Sequence, residues 1–286
     1  MHLLFEPLQY GFMRDALLIG SIVAITCSLL SCFLVLRGWA LMGDAISHAV
    51  LPGIVIAYLI KLPLAVGAFF AGLSCAVVTG FIKQHSRLKE DAIMGVVFTG
   101  MFAFGLVLFS KVHSSLHLDH ILLGNILGIE PHHRLQTYWI GSLVSLAVFL
   151  KRRDLLLICF DASHARVIAM PAARMENFLL VCVALAIVAS LQAVGIILVI
   201  AMLVIPGSTA QLWTDRFDRM LGIAVSSAVL STLLGVLTSF HINGSPSACI
   251  VLIQALGFII SLIFAPKYGL IRQWRKAHAL ATREGD

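Results

Sequence analysis

Gly43-Asp44-Ala45-Ile46-Ser47-His48-Ala49-Val50-Leu51-Pro52-Gly53 decides how this chain is read. The stretch lies where two long apolar runs meet, Ala16 to Leu36 and Ala40 to Ile60, so an acid and an imidazole stand inside material built for lipid. Asp44 and His48 are four apart and share one face of a helix, where they can hold one ligand. Pro52 lacks the N–H that would bond the carbonyl of His48, so the helix is expected to loosen and bend there and to shape the surroundings of the pair. The plainer alternative is a helix start, with Asp44 as N-cap and His48 bonded to a neighbour. A charge at mid-bilayer costs about 3 kcal/mol, so an ionisable pair kept there marks a functional site.

Working outward, hydrophobic residues make up 60% of the 286-residue chain and charged residues 12%. The mean hydropathy is +0.99. This is an all-α, polytopic membrane protein and not a soluble domain. The net charge of +6 does not indicate nucleic acid, because the basic residues sit in short loops between apolar runs. Cys27, Cys32, Cys75, Cys159, Cys182 and Cys249 lie in or beside those runs without a C-x-x-C pair. They read as small buried hydrophobes, with neither a disulfide framework nor a thiolate zinc site. The first apolar run is too long for a cleaved signal and is expected to remain as a span.

Spans are expected near Ala16–Leu36, Met42–Ile60, Leu64–Ile82, Ala92–Ser110, Thr137–Leu150, Asn177–Leu191, Val194–Leu212, Met220–Phe240 and Ser247–Phe264. Apolar character barely dips at Gln192-Ala193-Val194-Gly195, so eight spans fit nearly as well as nine. Alternating nine spans back from a cytoplasmic C-terminus puts sixteen lysines and arginines inside and only Arg14, Lys61, Lys111 and Arg134 outside. Positive charge collects on the cytoplasmic side, so the tail at 267–286 is assigned there.

The external loop at 111–134 carries His113, His117, His120, His132 and His133. Histidine suits metals, but this spacing matches no defined site and fits a solvated loop as well. The longest internal loop, 151–176, contains Asp161, which can cap a short helix through Ala165 and Ile168 to Met170 before Pro171 stops it. Such a helix suits docking to a partner, and an ordinary connector fits equally. Pro206 is expected to break or kink its span, with Ser208, Thr209 and Gln211 satisfying the freed backbone. No P-loop, H-E-x-x-H, G-x-S-x-G or kinase signature occurs, so the chain is not expected to be an enzyme and any ATP must be hydrolysed by a partner.

The chain resembles the permease subunits of ABC importers for zinc, manganese and iron. The resemblance rests first on Leu34 through Gly53, then on Asp91-Ala92-Ile93-Met94-Gly95, Gly124-Asn125-Ile126-Leu127-Gly128, Leu191-Gln192-Ala193-Val194-Gly195 and the Ile205-Pro206 region. These extend from about residue 15 to Pro266, and the Leu88-Lys89-Glu90-Asp91 run and the Gly124 motif look most like the manganese/iron branch. The resemblance implies the metal-importer permease fold in one transmembrane domain over residues 1–286, within the bacterial inner membrane. It also implies a homodimer or a pair of similar permeases, two cytoplasmic ATPase subunits and an external metal-binding protein. Asp44 and His48 would line the pathway as metal ligands. Asp161, Ala165 and Arg166 would belong to the segment that docks on the ATPase. In that segment Ala162, Ser163 and Ala169 depart from the usual proline, acid and glycine.

Chemistry points the same way. One carboxylate and one imidazole per chain, doubled across a two-fold axis, suit Mn(II), Fe(II) or Zn(II) as transported ions. No permanently bound cofactor is expected. The competing expectations are an ion-coupled secondary transporter, with the pair relaying protons, and an ABC permease for a metal chelate. The first calls for inverted repeats, and no internal repeat is evident. The second calls for a wide pathway without a ligand pair.

Overall fold

The computed structural model describes residues 9–111, 126, 128–129, 131–160, 172–267, 269 and 271–272. Among them it has ten helices and no strand. They are α1 (Gly11–Leu36), α2 (Met42–Leu59), α3 (Leu64–His85), α4 (Glu90–Lys111), α5 (Pro131–Leu150), α6 (Arg152–Phe160), α7 (Ala172–Val194), α8 (Ile196–Trp213), α9 (Phe217–Ile242) and α10 (Pro246–Phe264). Without water, a backbone satisfies its N–H and C=O groups inside its own helix, which is why apolar composition becomes helix throughout.

Eight of these helices, α1 to α4 and α7 to α10, are long and apolar enough to cross a membrane. The count falls within the expected eight or nine, but the doubtful member differs from the one anticipated. The run around residue 194 does divide, because Gly195 turns the chain between α7 and α8 at φ 85°, where a side chain would be strained. The expected span Thr137–Leu150 is the one that misses the criterion, since its helix opens with His132, His133 and Arg134. Packing shows what α5 does all the same. Arg134 pairs with Asp15, Thr26 Oγ1 donates to the Gly141 carbonyl at 3.1 Å, and Thr26 and Ser145 hydroxyls lie 2.8 Å apart. The contacts advance together along both chains, so α5 runs parallel to α1 through the same slab. Its 20 residues reach about 30 Å, the thickness of a hydrocarbon core.

α1 is the central helix, buried over most of its length. α9 runs antiparallel to it, as Cys32 facing the Met220 carbonyl at 3.9 Å and Phe33 stacking on Phe217 at 4.9 Å show. α2 and α3 form an antiparallel pair that closes tightly at Gly53 and Gly67, where a Cβ on either would run into the other's carbonyl. Small residues let helices approach in lipid, where dispersion contacts replace the hydrophobic effect as the glue. The six cysteines are free.

Of the break or kink expected at Pro206, the break does not occur: α8 is continuous from Ile196 to Trp213. Ser208 and Thr209 bond back to the carbonyls of Val204 and Ile205 at 2.9 and 2.8 Å, and the Gly207 N–H donates to Ser31 Oγ at 3.0 Å. The position serves a close crossing with α1.

Candidate functional site

α2 begins deep in the bundle. After Leu36 the chain turns at Gly38 (φ 76°), the Trp39 N–H bonds back to the Leu34 carbonyl at 2.7 Å, and the new helix starts at Met42. Ala45 lies against Cys75, midway along α3, and Gly43 abuts Leu203 in the interior of α8. The first two turns of α2 therefore stand at mid-depth although they open a helix. The helix N-cap is Leu41, not Asp44, with no side-chain cap. Asp44 instead occupies the first turn, where the positive end of the helix dipole favours a carboxylate.

The structure brings Asp44 and His48 together. His48 Nδ1 lies 3.1 Å from Asp44 Oδ1 and 3.0 Å from the Asp44 carbonyl oxygen. Both partners are acceptors, which assigns the proton to Nδ1 and leaves the Nε2 lone pair available. An imidazole oriented by a carboxylate through one nitrogen is how metal-ligating histidines are usually held. The two side chains are 29% and 30% exposed, far more open than the wholly buried Ser47 between them, whose hydroxyl bonds the Gly43 carbonyl at 2.7 Å. Among the described residues no third His, Cys, Asp or Glu joins them into a metal-binding group. One chain thus offers a nitrogen and a carboxylate oxygen, and fuller coordination needs donors from elsewhere.

Pro52 stands one turn further along, in an α2 that stays unbroken through it. The expected loosening does not divide the helix. Its ring rests against Gly105 of α4, where a Cβ would lie 2.9 Å from both its Cδ and its nitrogen. Beyond it, towards the end of the bundle marked by Arg134, an apolar cavity of about 450 Å³ opens between α2, α3 and α4. Pro52, Gly53, Gly67, Phe70, Met101 and Phe104 are among its lining.

Two features escaped the sequence reading. Phe98 and Phe102 of α4 flank the His48 ring at 5.8 and 5.5 Å, the second edge-on. Their spacing of four shows a shared face, but nothing in the sequence says which helix that face meets. Arg37, seen only as a topology marker, pairs with Glu176 at 2.6 Å and lies 4.1 Å over the Trp39 ring. Of the remaining expected site residues, Asp161, Ala165 and Arg166 lie outside the described residues, as do His113, His117 and His120.

Comparison with known proteins gives a consistent result. A family model described as "ABC 3 transport family" matches residues 9–265. The chelated iron transport system membrane protein YfeD of Yersinia pestis is 54% identical over 262 residues, 92% of this chain and 88% of that one. The manganese transport system membrane protein MntB of Synechocystis is 50% identical over 276 residues, covering 96% and 90%. The solved structure of PsaBC from Streptococcus pneumoniae in complex with Fab superposes with a TM-score of 0.84 at 33% identity, over 94% of this chain and 98% of that one.

Proposed function

The chain belongs to the ABC 3 transport family, and we propose that it is the membrane-spanning permease subunit of an ATP-driven importer that carries divalent metal ions into the cytoplasm. It is a transport subunit and not an enzyme; ATP is hydrolysed by a separate partner chain. Manganese and iron are the favoured cargo, supported by relatives named for those metals, and zinc fits the same donor set. The observation that carries this reading is the mid-depth Asp44–His48 pair, one nitrogen and one carboxylate oxygen 3.1 Å apart, one helical turn before Pro52, where the lining of an apolar cavity begins. YfeD is named for chelated iron, but a ligand pair of this kind suits a bare ion, whose charge the carboxylate offsets in lipid.

A second permease chain, identical or paralogous, supplies the missing donors across a two-fold axis. Two cytoplasmic ATPase subunits and an external metal-binding protein complete the importer, which sits in the bacterial inner membrane. With α5 as a ninth crossing, Arg37, Lys83, Lys151, Arg216 and Lys267 share one end of the bundle, and that excess of cations supports a cytoplasmic C-terminus. The whole chain forms one transmembrane domain. Its internal loop, 151–176, meets the ATPase through Asp161, Ala165 and Arg166, and the loop at 111–134 faces outward.

The test is uptake into proteoliposomes holding the assembled importer, with Mn(II), Fe(II) and Zn(II) offered as free ions and as chelates. Free-ion uptake that needs ATP and vanishes in Asp44→Ala and His48→Ala at equal abundance is the expected result. Uptake by the permease without an ATPase, or of the chelate alone, overturns it.

A further inference from the structure

At the Arg37 end of the bundle a cavity of about 540 Å³ opens between α6 and the start of α9, lined by Arg152, Arg153, Leu156, Arg216, Phe217, Asp218 and Arg219. Four guanidinium groups face one carboxylate, a net charge of +3 by 4 − 1. Asp218 is already engaged, 3.5 Å from Arg152 Nε. The nearby acids are taken too, since Asp154 pairs with Lys151 at 3.6 Å and Asp215 with Lys267. Among the described residues, no carboxylate pairs with Arg153, Arg216 or Arg219. The 26-residue α9 also starts here without a side-chain cap, so its first N–H groups and dipole add to the positive field.

We propose that this cavity binds the phosphate of an anionic lipid headgroup. Like charges gathered around an empty volume repel one another, and a doubly acceptor-rich, planar-matched anion such as a phosphodiester relieves that repulsion through forked guanidinium bonds. Depth selects the source. Phe217 stacks on Phe33 and Cys159 of α6 lies 4.0 Å from the Phe33 carbonyl, so the cavity is level with the last turn of α1 and does not project beyond it. α6 opens on Arg152 and Arg153 and continues through Leu155, Leu156, Leu157 and Ile158, of which Leu155 and Ile158 are buried. Exposed Phe149, whose ring lies 4.3 Å under the Arg152 guanidinium, and Leu150 come just before α6, and exposed Trp213 ends α8 three residues before Arg216, apolar and aromatic surface suited to acyl chains and glycerol. Leu156 and Phe217 supply an apolar wall inside it. A protein partner standing in water would meet its charges further out.

The experiment uses the full-length chain, purified in detergent and returned to nanodiscs of phosphatidylcholine alone or with one fifth phosphatidylglycerol or cardiolipin. Retained lipid is read by native mass spectrometry and stability by thermal unfolding. Anionic lipid is expected to copurify, to raise the unfolding temperature, and to be displaced by salt. The double variant Arg216→Gln, Arg219→Gln should weaken anionic-lipid retention by about twenty-five-fold, since each basic residue near a membrane surface contributes about fivefold. Arg216→Lys, Arg219→Lys keeps the charge without the fork and should retain an intermediate amount, more than the glutamine variant, which separates charge from misfolding. Equal retention of phosphatidylglycerol by the glutamine variant overturns the proposal. So does the same stabilisation by millimolar inorganic phosphate in phosphatidylcholine discs, which would make the ligand a solute. Unchanged lipid retention with lost ATPase affinity would instead make the patch a protein-docking surface, and overturns it equally.

Discussion

Arg37 Nη2 lies 2.6 Å from Glu176 Oε1, joining the turn that launches the Asp44 helix to α7, the helix entered directly after residues 161–171. A displacement of the start of α7 therefore has a short mechanical route to the Asp44–His48 pair. Arg37 is largely buried while Glu176 is about one-third exposed, so solvent screens part of the attraction and about 1 kcal/mol is expected from it. Glu176→Gln should lower the number of ions moved per ATP, and the swap Arg37→Glu, Glu176→Arg should recover part of the loss. Full coupling in Glu176→Gln, measured in proteoliposomes, would reduce the pair to a surface contact.

Asp44 holds His48 by its ring nitrogen and also carries charge, and the two roles separate chemically. Asp44→Asn keeps an acceptor for Nδ1–H but no longer offsets a divalent ion. Uptake is expected to drop at least about tenfold in apparent affinity, equivalent to losing about 1.4 kcal/mol of attraction for the ion. Wild-type affinity at equal membrane abundance would show that orientation alone is needed.

Pro52 denies the His48 carbonyl its helical donor. Pro52→Ala restores that bond and should favour the isolated helix by about 3 kcal/mol, yet uptake is expected to fall while abundance holds. Gly105→Ala presses a Cβ onto the same proline and should impair uptake in the same way. Loss of folded protein in Pro52→Ala would make the residue structural.

The Gly53–Gly67 crossing has no room for a methyl group on either helix, because the obstacle is backbone and cannot rotate away. Gly53→Ala or Gly67→Ala should cost about 1–3 kcal/mol, the range for overpacking a close contact. Thermal unfolding of the purified chain checks this, with Gly80→Ala as a control, since nothing lies within 4 Å of a Cβ there.

Burial pushes the Cys159 thiol up to about 11, against the weaker downward pull of Arg37. With the folded value above the ordinary 9.0, the neutral thiol is favoured in the fold. Its stabilising contribution is whole below about pH 9 and is lost as pH climbs towards 11. At pH 8 a thiolate-selective reagent should label Cys159 far more slowly than a free cysteine. Labelling at the free rate would mean that α6 does not stay docked on α1.

Most of this architecture is legible in the order of residues, because lipid makes one demand that composition answers directly: apolar runs become helices. The same physics made Asp44 and His48 conspicuous, since a charge in a hydrophobic run is expensive wherever the chain goes, and helical spacing alone put them on one face. Composition could not say where α5 sits, because His132, His133 and Arg134 dilute its hydropathy; its contacts with α1, from Asp15 to Thr26, place it parallel to that helix. Pro206 looked like a break because proline removes one bond, but α8 is held against α1 by Ser31, 176 residues away. Phe98 and Phe102 around His48, the Arg37–Glu176 pair and the arginine-lined cavity likewise join residues from distant helices. Local chemistry fixes what each helix is. Which faces meet depends on close packing among all of them at once, and only the tertiary structure holds that information.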